Sequence, residues 1–161
     1  MSGLRVIVLH GVNLDQLGRR NPEHYGQGTL ADLESQISEI AGSLGDRVIC
    51  EQTNFEGEYV ELIHKAKERG DALILNPGAW THYAWAIHDA LESSGLPAVE
   101  VHLSDVQARD EWRRHSVISD LCIATVSGKG IEGYRDALVL LSDHAAAARA
   151  AEAAEPQGES S

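Results

Sequence analysis

The 161-residue chain reads as a single α/β domain, a sandwich of helices around a five-stranded parallel sheet. Three observations predict it. Strand-like and helix-like segments alternate five times, which calls for parallel strands joined by right-handed crossovers. The first strand-like run is continuously apolar and ends in glycine, the pattern of a central strand covered on both faces. The length suffices for one core and is short for two.

The elements follow in order. "LRVIVLHG" (4–11) is the first strand, and the polar loop "NPEHYGQGT" (21–29) comes after it. In "TLADLESQISEIAGSLG" (29–45), Leu30, Leu33, Ile37, Ile40 and Leu44 step by three and four, giving a helix one apolar face. Thr29 with Asp32 suits its N-cap and Gly45 its C-terminal stop. "RVICEQTN" (47–54) is the second strand, and "GEYVELIHKAKERG" (57–70) the second helix, with Val60, Ile63 and Ala66 turned inward. "ALILNPG" (72–78) is the third strand, "HYAWAIHDALESSG" (82–95) the third helix and "PAVEVHLSD" (97–105) the fourth strand. A short charged helix around "ARDEWRR" (108–114) precedes the fifth strand, "LCIATVSG" (121–128). "IEGYRDALVLLSDHAAAARAAEAA" (131–154) closes the chain as helix, and the final "EPQGESS" has nothing to bury and is expected to be disordered.

Apolar (43%) and charged (24%) contents are those of an ordinary globular protein, and the net charge of −12 argues against nucleic acid as partner. An anionic small substrate stays open, since a few arginines make a pocket locally positive. The N-terminus lacks the apolar stretch of a signal peptide, and no run approaches the ~20 apolar residues of a membrane span. Cys50 and Cys122 fall in strand-like apolar runs and read as buried thiols of a reducing cytoplasm.

In an open parallel sheet, ligands bind beyond the carboxyl ends of the strands. Those ends carry His10 and Asn13; Thr53, Asn54 and Glu56; Asn76 and His82; Glu100, His102 and Ser104; and Ser127 and Lys129. Amides, imidazoles and carboxylates together suit a small polar ligand. Glu100 and His102 lie two apart in a strand, so they face the same side. A carboxylate there favours and orients an imidazolium, as a general acid requires. An ordinary core histidine is satisfied in the same way, and the pair alone favours that plainer reading. His10, His82 and His102 match no closed ligand set, so no metal is expected. Tyr25 sits in the polar loop with Arg19 and Arg20 upstream. A tyrosine base near pH 7 needs its pKa of about 10 lowered by roughly 3 units, about 4 kcal/mol, which nearby guanidinium groups can supply. A solvent-exposed loop tyrosine is the alternative. A flavin carrier would need a hydroxyl- and glycine-rich phosphate loop where this chain has "HGVNLD", and a phosphoryl-accepting receiver would need an aspartate where the third strand ends in "NPG".

Taken together, these stretches resemble type II 3-dehydroquinate dehydratase. The pattern N-G-P-N-L-N followed by L-G-x-R-x-P-x-x-Y-G is present as "HGVNLDQLGRRNPEHYG", S-N-H-E-G-E as "TNFEGE" and I-N-P-G-A-x-T-H as "LNPGAWTH". E-V-H-x-S-N is present as "EVHLSD", and R-E-x-F-R-x-x-S as "RDEWRRHS", so the resemblance runs from about Arg5 to about residue 142. It implies a flavodoxin-like three-layer fold, with residues 1–144 as the catalytic domain and 145–161 as an Ala/Glu-rich extension. It implies a cofactor-free, metal-free lyase of the shikimate pathway of aromatic amino acid biosynthesis, converting 3-dehydroquinate to 3-dehydroshikimate by anti elimination through an enolate. By the same resemblance, Tyr25 removes the C2 proton, Arg20 lowers its pKa and Asn13 holds a water on the enolate. His102, oriented by Glu100, protonates the leaving C1 hydroxyl. Asn76, His82, Arg113 and the backbone around Leu103 and Ser104 grip the ring, and residues 17–28 form a lid. Asp89 completes a neighbour's site in a cytoplasmic dodecamer, twelve subunits gathered as trimers.

Several positions depart from the pattern: His10, Val12 and Asp15 in the first stretch, Phe55 in the second, then Tyr83, Ala84, His88 and Asp105. None carries an assigned catalytic role, but they alter the rim and the subunit contacts. The alternatives are therefore a divergent paralogue acting on a related cyclic hydroxy-keto acid, or a non-catalytic flavodoxin-like binding protein.

Overall fold

The computed structural model describes residues 3–19, 23 and 28–156. Five strands, β1 (Arg5–His10), β2 (Arg47–Gln52), β3 (Ala72–Asn76), β4 (Ala98–His102) and β5 (Ala124–Ser127), form one sheet. Its order is β2-β1-β3-β4-β5 and every pairing is parallel. The connecting helices are α1 (Leu30–Ser43), α2 (Glu56–Arg69), α3 (Trp85–Ser94) and α4 (Glu132–Ala154). This is the flavodoxin-like α/β sandwich expected. The chain turns to opposite sides of β1 after β1 and after β2, so the strand order reverses between β1 and β3, where such sheets open a crevice.

Central β3 and β4 are buried along their whole length, whereas the edge strands β2 and β5 are largely half-buried. Side chains alternate between two cores with the period of a strand. Val6 and Val8 of β1, with Ile74 and Val99, pack beneath α1 and α4 against Leu33, Ile37 and Leu138. Ile7 and Leu9, with Leu73 and Leu75, pack beneath α2 and α3 against Ile63, Ile87 and Leu91.

Several local expectations hold in detail. Thr29 and Asp32 form a reciprocal capping box, the Thr29 amide donating to Oδ2 of Asp32 at 3.0 Å and the Asp32 amide to Thr29 Oγ1 at 3.2 Å. Gly45 adopts a φ of +82° just past α1. Along the helix Leu33, Ile37 and Ile40 are buried, but Leu44 is the C-cap and is exposed. On α2 the inward face runs through Tyr59, Ile63 and Ala66, with Val60 only partly buried. Tyr59 tolerates burial because its hydroxyl donates to the Leu9 carbonyl at 3.0 Å.

Three expectations are corrected. The third helix begins at Trp85, not His82, because residues Gly78–His82 wind into a 3₁₀ turn anchored by the Val117 amide on the Thr81 carbonyl at 2.7 Å. The charged helix near 108–114 is two 3₁₀ turns, Val106–Ala108 and Glu111–Arg114. The fifth strand begins at Ala124, since Ser119–Leu121 is another 3₁₀ turn; Cys122 therefore precedes the strand, and both cysteines are partly rather than fully buried. The Ala-rich segment extends α4 to Ala154. Among the described residues no helix is long and apolar enough to cross a membrane.

Candidate active site

The C-terminal ends of β1 and β3 are tied closely together. The Gly11 amide donates to the Asn76 carbonyl at 2.7 Å. A Cβ on Gly11 would meet the Pro77 carbonyl oxygen at 2.2 Å, so only glycine permits this approach. Beyond it, Asn13 adopts a left-handed φ of 67°, a conformation that asparagine accepts better than most residues. Asn54, two residues past β2, holds that turn: its Oδ1 accepts from the Asn13 amide at 2.8 Å and its Nδ2 donates to Asp15 at 3.0 Å. On β3, Asn76 Oδ1 accepts from the Gly78 amide at 3.2 Å.

A cavity opens where these strand ends meet β4. Asn13, Asn76, His82, His102, Leu103, Ser104 and Arg113 line it, together with Arg109. Seven of the residues named from the sequence thus converge on one surface. Arg109 went unnamed there; its position within the "ARDEWRR" segment beside Arg113 was the available signal. Two arginines give this acidic protein a local place for an anion.

Glu100 lies beneath the cavity, fully buried, and accepts from four donors. His102 Nε2 and Thr81 Oγ1 each stand 2.5 Å from its Oε2. Ser116 Oγ donates to Oε1 at 2.7 Å, and Thr125 Oγ1 at 3.4 Å. Burial pushes the Glu100 carboxyl upward, but the bonds from His102, Thr81 and Ser116 outweigh it, and its pKa lies below the usual value. The carboxylate is therefore an anion that orients His102 through Nε2 and leaves Nδ1 available for proton transfer. Thr81, Ser116 and Thr125 were not singled out in the sequence. Thr81 and Ser116 lie inside the quoted "PGAWTH" and "RDEWRRHS" stretches, but nothing in their spacing says that they meet at Glu100.

His82 is held differently. Its Nδ1 donates to the His115 carbonyl at 2.6 Å, and partial burial, followed by the nearby His102 and Arg113, lowers its pKa. A neutral ring with Nδ1 protonated presents Nε2 as an acceptor, suited to a hydroxyl. Trp112 stands edge-on to His82 with ring centroids 5.1 Å apart, and the Arg113 guanidinium lies 4.1 Å from its ring centre.

The remaining residues do not join this cluster. Tyr25 and Arg20, with most of the 17–28 loop, lie outside the described residues. Asp89 is exposed on α3, beside His88, and does not line the cavity. Lys129 is paired with Asp136 at 2.7 Å, away from it. His10 turns from the cavity into the layer beneath α1, and among the described residues it shares no ligand cluster with His82 or His102.

The chain is similar to known proteins over most of its length. The family described as dehydroquinase class II matches residues 4–142. The 3-dehydroquinate dehydratase of Pelotomaculum thermopropionicum is 45% identical over 147 residues, spanning 91% of this chain and 99% of its own. That of Syntrophotalea carbinolica is 47% identical over 140 residues, 86% of this chain and 95% of its own. The crystal structure of type II dehydroquinase from Propionibacterium acnes superposes with a TM-score of 0.82 at 41% identity, covering 86% of this chain and 96% of that one. A match across nearly the whole domain, at this identity and with the same fold, shows that the chain belongs to the class II dehydroquinase family.

Proposed function

We propose that the protein is a hydro-lyase that converts 3-dehydroquinate to 3-dehydroshikimate. The observation that carries this reading is the buried Glu100–His102 pair opening onto a cavity that also presents Asn13, Asn76, His82 and Arg113. In the proposed reaction Tyr25, its pKa lowered by Arg20, removes the C2 proton and an enolate forms at the C3 carbonyl. Asn13 holds the water that stabilises the enolate oxygen. His102 then gives a proton to the C1 hydroxyl, which leaves as water as the double bond forms between C1 and C2. Arg113 receives the carboxylate, while His82, Asn76 and the backbone of Leu103 and Ser104 bind ring hydroxyls. The proposal extends to a cytoplasmic particle of four trimers in which Asp89 reaches a neighbouring subunit's site.

The product carries a carbonyl conjugated with the new double bond, so its formation is read directly from ultraviolet absorbance. Purified protein with 3-dehydroquinate should show a steady rise that scales with enzyme concentration. No rise with this substrate, but turnover of another cyclic hydroxy-keto acid, would favour the divergent reading that the departures at Tyr83, His88 and Asp105 leave open.

A further inference from the structure

Away from the cavity, β1, β2 and α1 bring three unlike side chains together. Val8 and Cys50 are register partners in adjacent parallel strands, and both pack into the core under α1. His10, two residues after Val8, projects to the same side. Glu34 on α1 reaches down to meet it, with 3.6 Å between His10 Nε2 and Glu34 Oε1. One ligand atom from each of His10, Glu34 and Cys50 lies within 4.8 Å of the other two.

His10 is fully buried, yet neither ring nitrogen has a hydrogen-bond partner among the described residues. That is unusual for a buried imidazole, which ordinarily finds a donor or acceptor. The 3.6 Å spacing is too long for a hydrogen bond. It is close to the roughly 3.4 Å separating two ligands at the tetrahedral angle when each lies about 2.0–2.1 Å from zinc.

We propose that His10, Glu34 and Cys50 form a zinc-class metal site that clamps α1 to the β1–β2 edge of the sheet. The donor set of one thiolate, one imidazole and one carboxylate selects a borderline-soft divalent ion over magnesium or calcium, which take oxygen ligands. Three protein ligands leave a fourth position for water. Burial lowers the His10 pKa to about 4, so the ring is already in the neutral form that a metal requires. Burial, aided by Glu34, pushes the Cys50 thiol up to about 12. A bound dication reverses that preference: the thiol proton passes to solvent as the sulfur–metal bond forms. Glu34 is about one-third exposed and β2 is an edge strand, so an ion can enter from the surface. None of the three residues lines the cavity, and the site is independent of the proposed reaction.

Cobalt(II) is the probe, because a bound thiolate adds a sulfur-to-metal charge-transfer band and tetrahedral geometry adds visible bands. The full chain, stripped with chelator and exchanged into metal-free buffer, should saturate with one cobalt per chain, and zinc should displace it. Cys50→Ala should abolish the charge-transfer band, and His10→Asn should weaken binding by more than about tenfold, the loss that even an outer-shell change can cause. Glu34→Gln, at a partly exposed helical position, decides the matter if either core variant fails to fold; it should weaken binding by a similar factor. The proposal is overturned if no saturable band develops, if the band survives Cys50→Ala, or if Glu34→Gln leaves cobalt affinity unchanged.

Discussion

Glu100 binds His102 at 2.5 Å through the same carboxylate oxygen that accepts the Thr81 hydroxyl, so the imidazole is oriented by an anion that is itself held from three other elements of the fold. Glu100→Gln keeps the volume and removes the charge. If His102 acts as the acid, kcat should fall by roughly 10²-fold, within the range that a positioned acid contributes. A merely structural role would lower stability and leave kcat of the folded enzyme within tenfold of the parent, with any loss appearing in thermal unfolding instead.

The same carboxylate has a consequence for stability. Its native pKa lies below the usual value of 4.5, so its contribution is fully present above about that pH and is lost as pH falls through the lower native value. Acid unfolding followed by circular dichroism should therefore be less steep below pH ~4.5 in Glu100→Gln than in the parent. Identical acid profiles would show that Glu100 is not held as an anion in the folded state.

Tyr25→Phe tests the proposed base. The loss of a hydroxyl that acts only in the transition state should lower kcat by at least about 10²-fold, with substrate binding little changed. Activity within tenfold of the parent would remove Tyr25 from the mechanism. If Arg20 lowers the Tyr25 pKa as proposed, Arg20→Ala should move the acidic limb of the pH–rate profile upward, since a tyrosine without a nearby cation ionises at higher pH. Borohydride added with substrate should leave activity intact, because Lys129 is paired with Asp136 and neither it, Lys65 nor Lys67 lines the cavity.

Where the sequence was legible, its signals were local. The capping box of Thr29 and Asp32, the glycine at 45 and the pairing of Glu100 with His102 each lie within a few residues, and each is present as read. The failures are non-local. The start of α3 depends on the backbone of Val117, 36 positions beyond its partner Thr81 in sequence, and no propensity at His82 reveals that bond. The donors Ser116 and Thr125 reach Glu100 from 16 and 25 positions away. His10 stands at a strand end, where the sequence points it toward a ligand, but its place two residues after Val8 puts its ring on the α1 side. Period-2 alternation separates the two faces of a strand without saying which of them leads to the cavity.

Two glycines distinguish close approach from simple exposure. A Cβ at Gly11 would meet three atoms of Pro77 at 2.2–2.7 Å, all of them backbone. Gly11→Ala should therefore cost about 3 kcal/mol, the upper end of overpacking, and spread the strand ends that carry Asn13 and Asn76. Gly42, near the end of α1, has nothing within 4 Å of such a Cβ. Gly42→Ala should stabilise by about 0.5–1 kcal/mol, because alanine loses less conformational freedom in a helix. Thermal unfolding of both variants checks the contrast, and equal effects would mean that the Gly11–Pro77 contact relaxes freely.

The last prediction concerns assembly and pH. His88 bridges two carboxylates, its Nδ1 3.3 Å from Asp89 Oδ1 and its Nε2 3.5 Å from Asp120 Oδ2. Partial burial works against protonation, but the two acids outweigh it and raise its pKa above 6.5. A raised histidine stabilises fully below about 6.5 and loses that contribution as pH rises through the native value. Both acids are exposed, at 82% and 70%, so within one chain the effect should be no more than about 1 kcal/mol and should weaken with salt. In an assembly the consequence is larger. Tyr83 and Trp85 stand 58% exposed beside this pair, and aromatic residues are common interface anchors. If Asp89 serves a neighbour's site, deprotonation of His88 frees its carboxylate and changes the contact on every subunit at once. Light scattering at pH 6 and pH 8 should give a multiple of three subunits at the lower pH, twelve being the expected number, with a measurable shift toward smaller species at the higher one. Asp89→Ala should raise KM by about tenfold while kcat changes less, because binding rather than proton transfer is lost. A stable monomer with full activity at both pH values would sink the assembly and the role of Asp89 together.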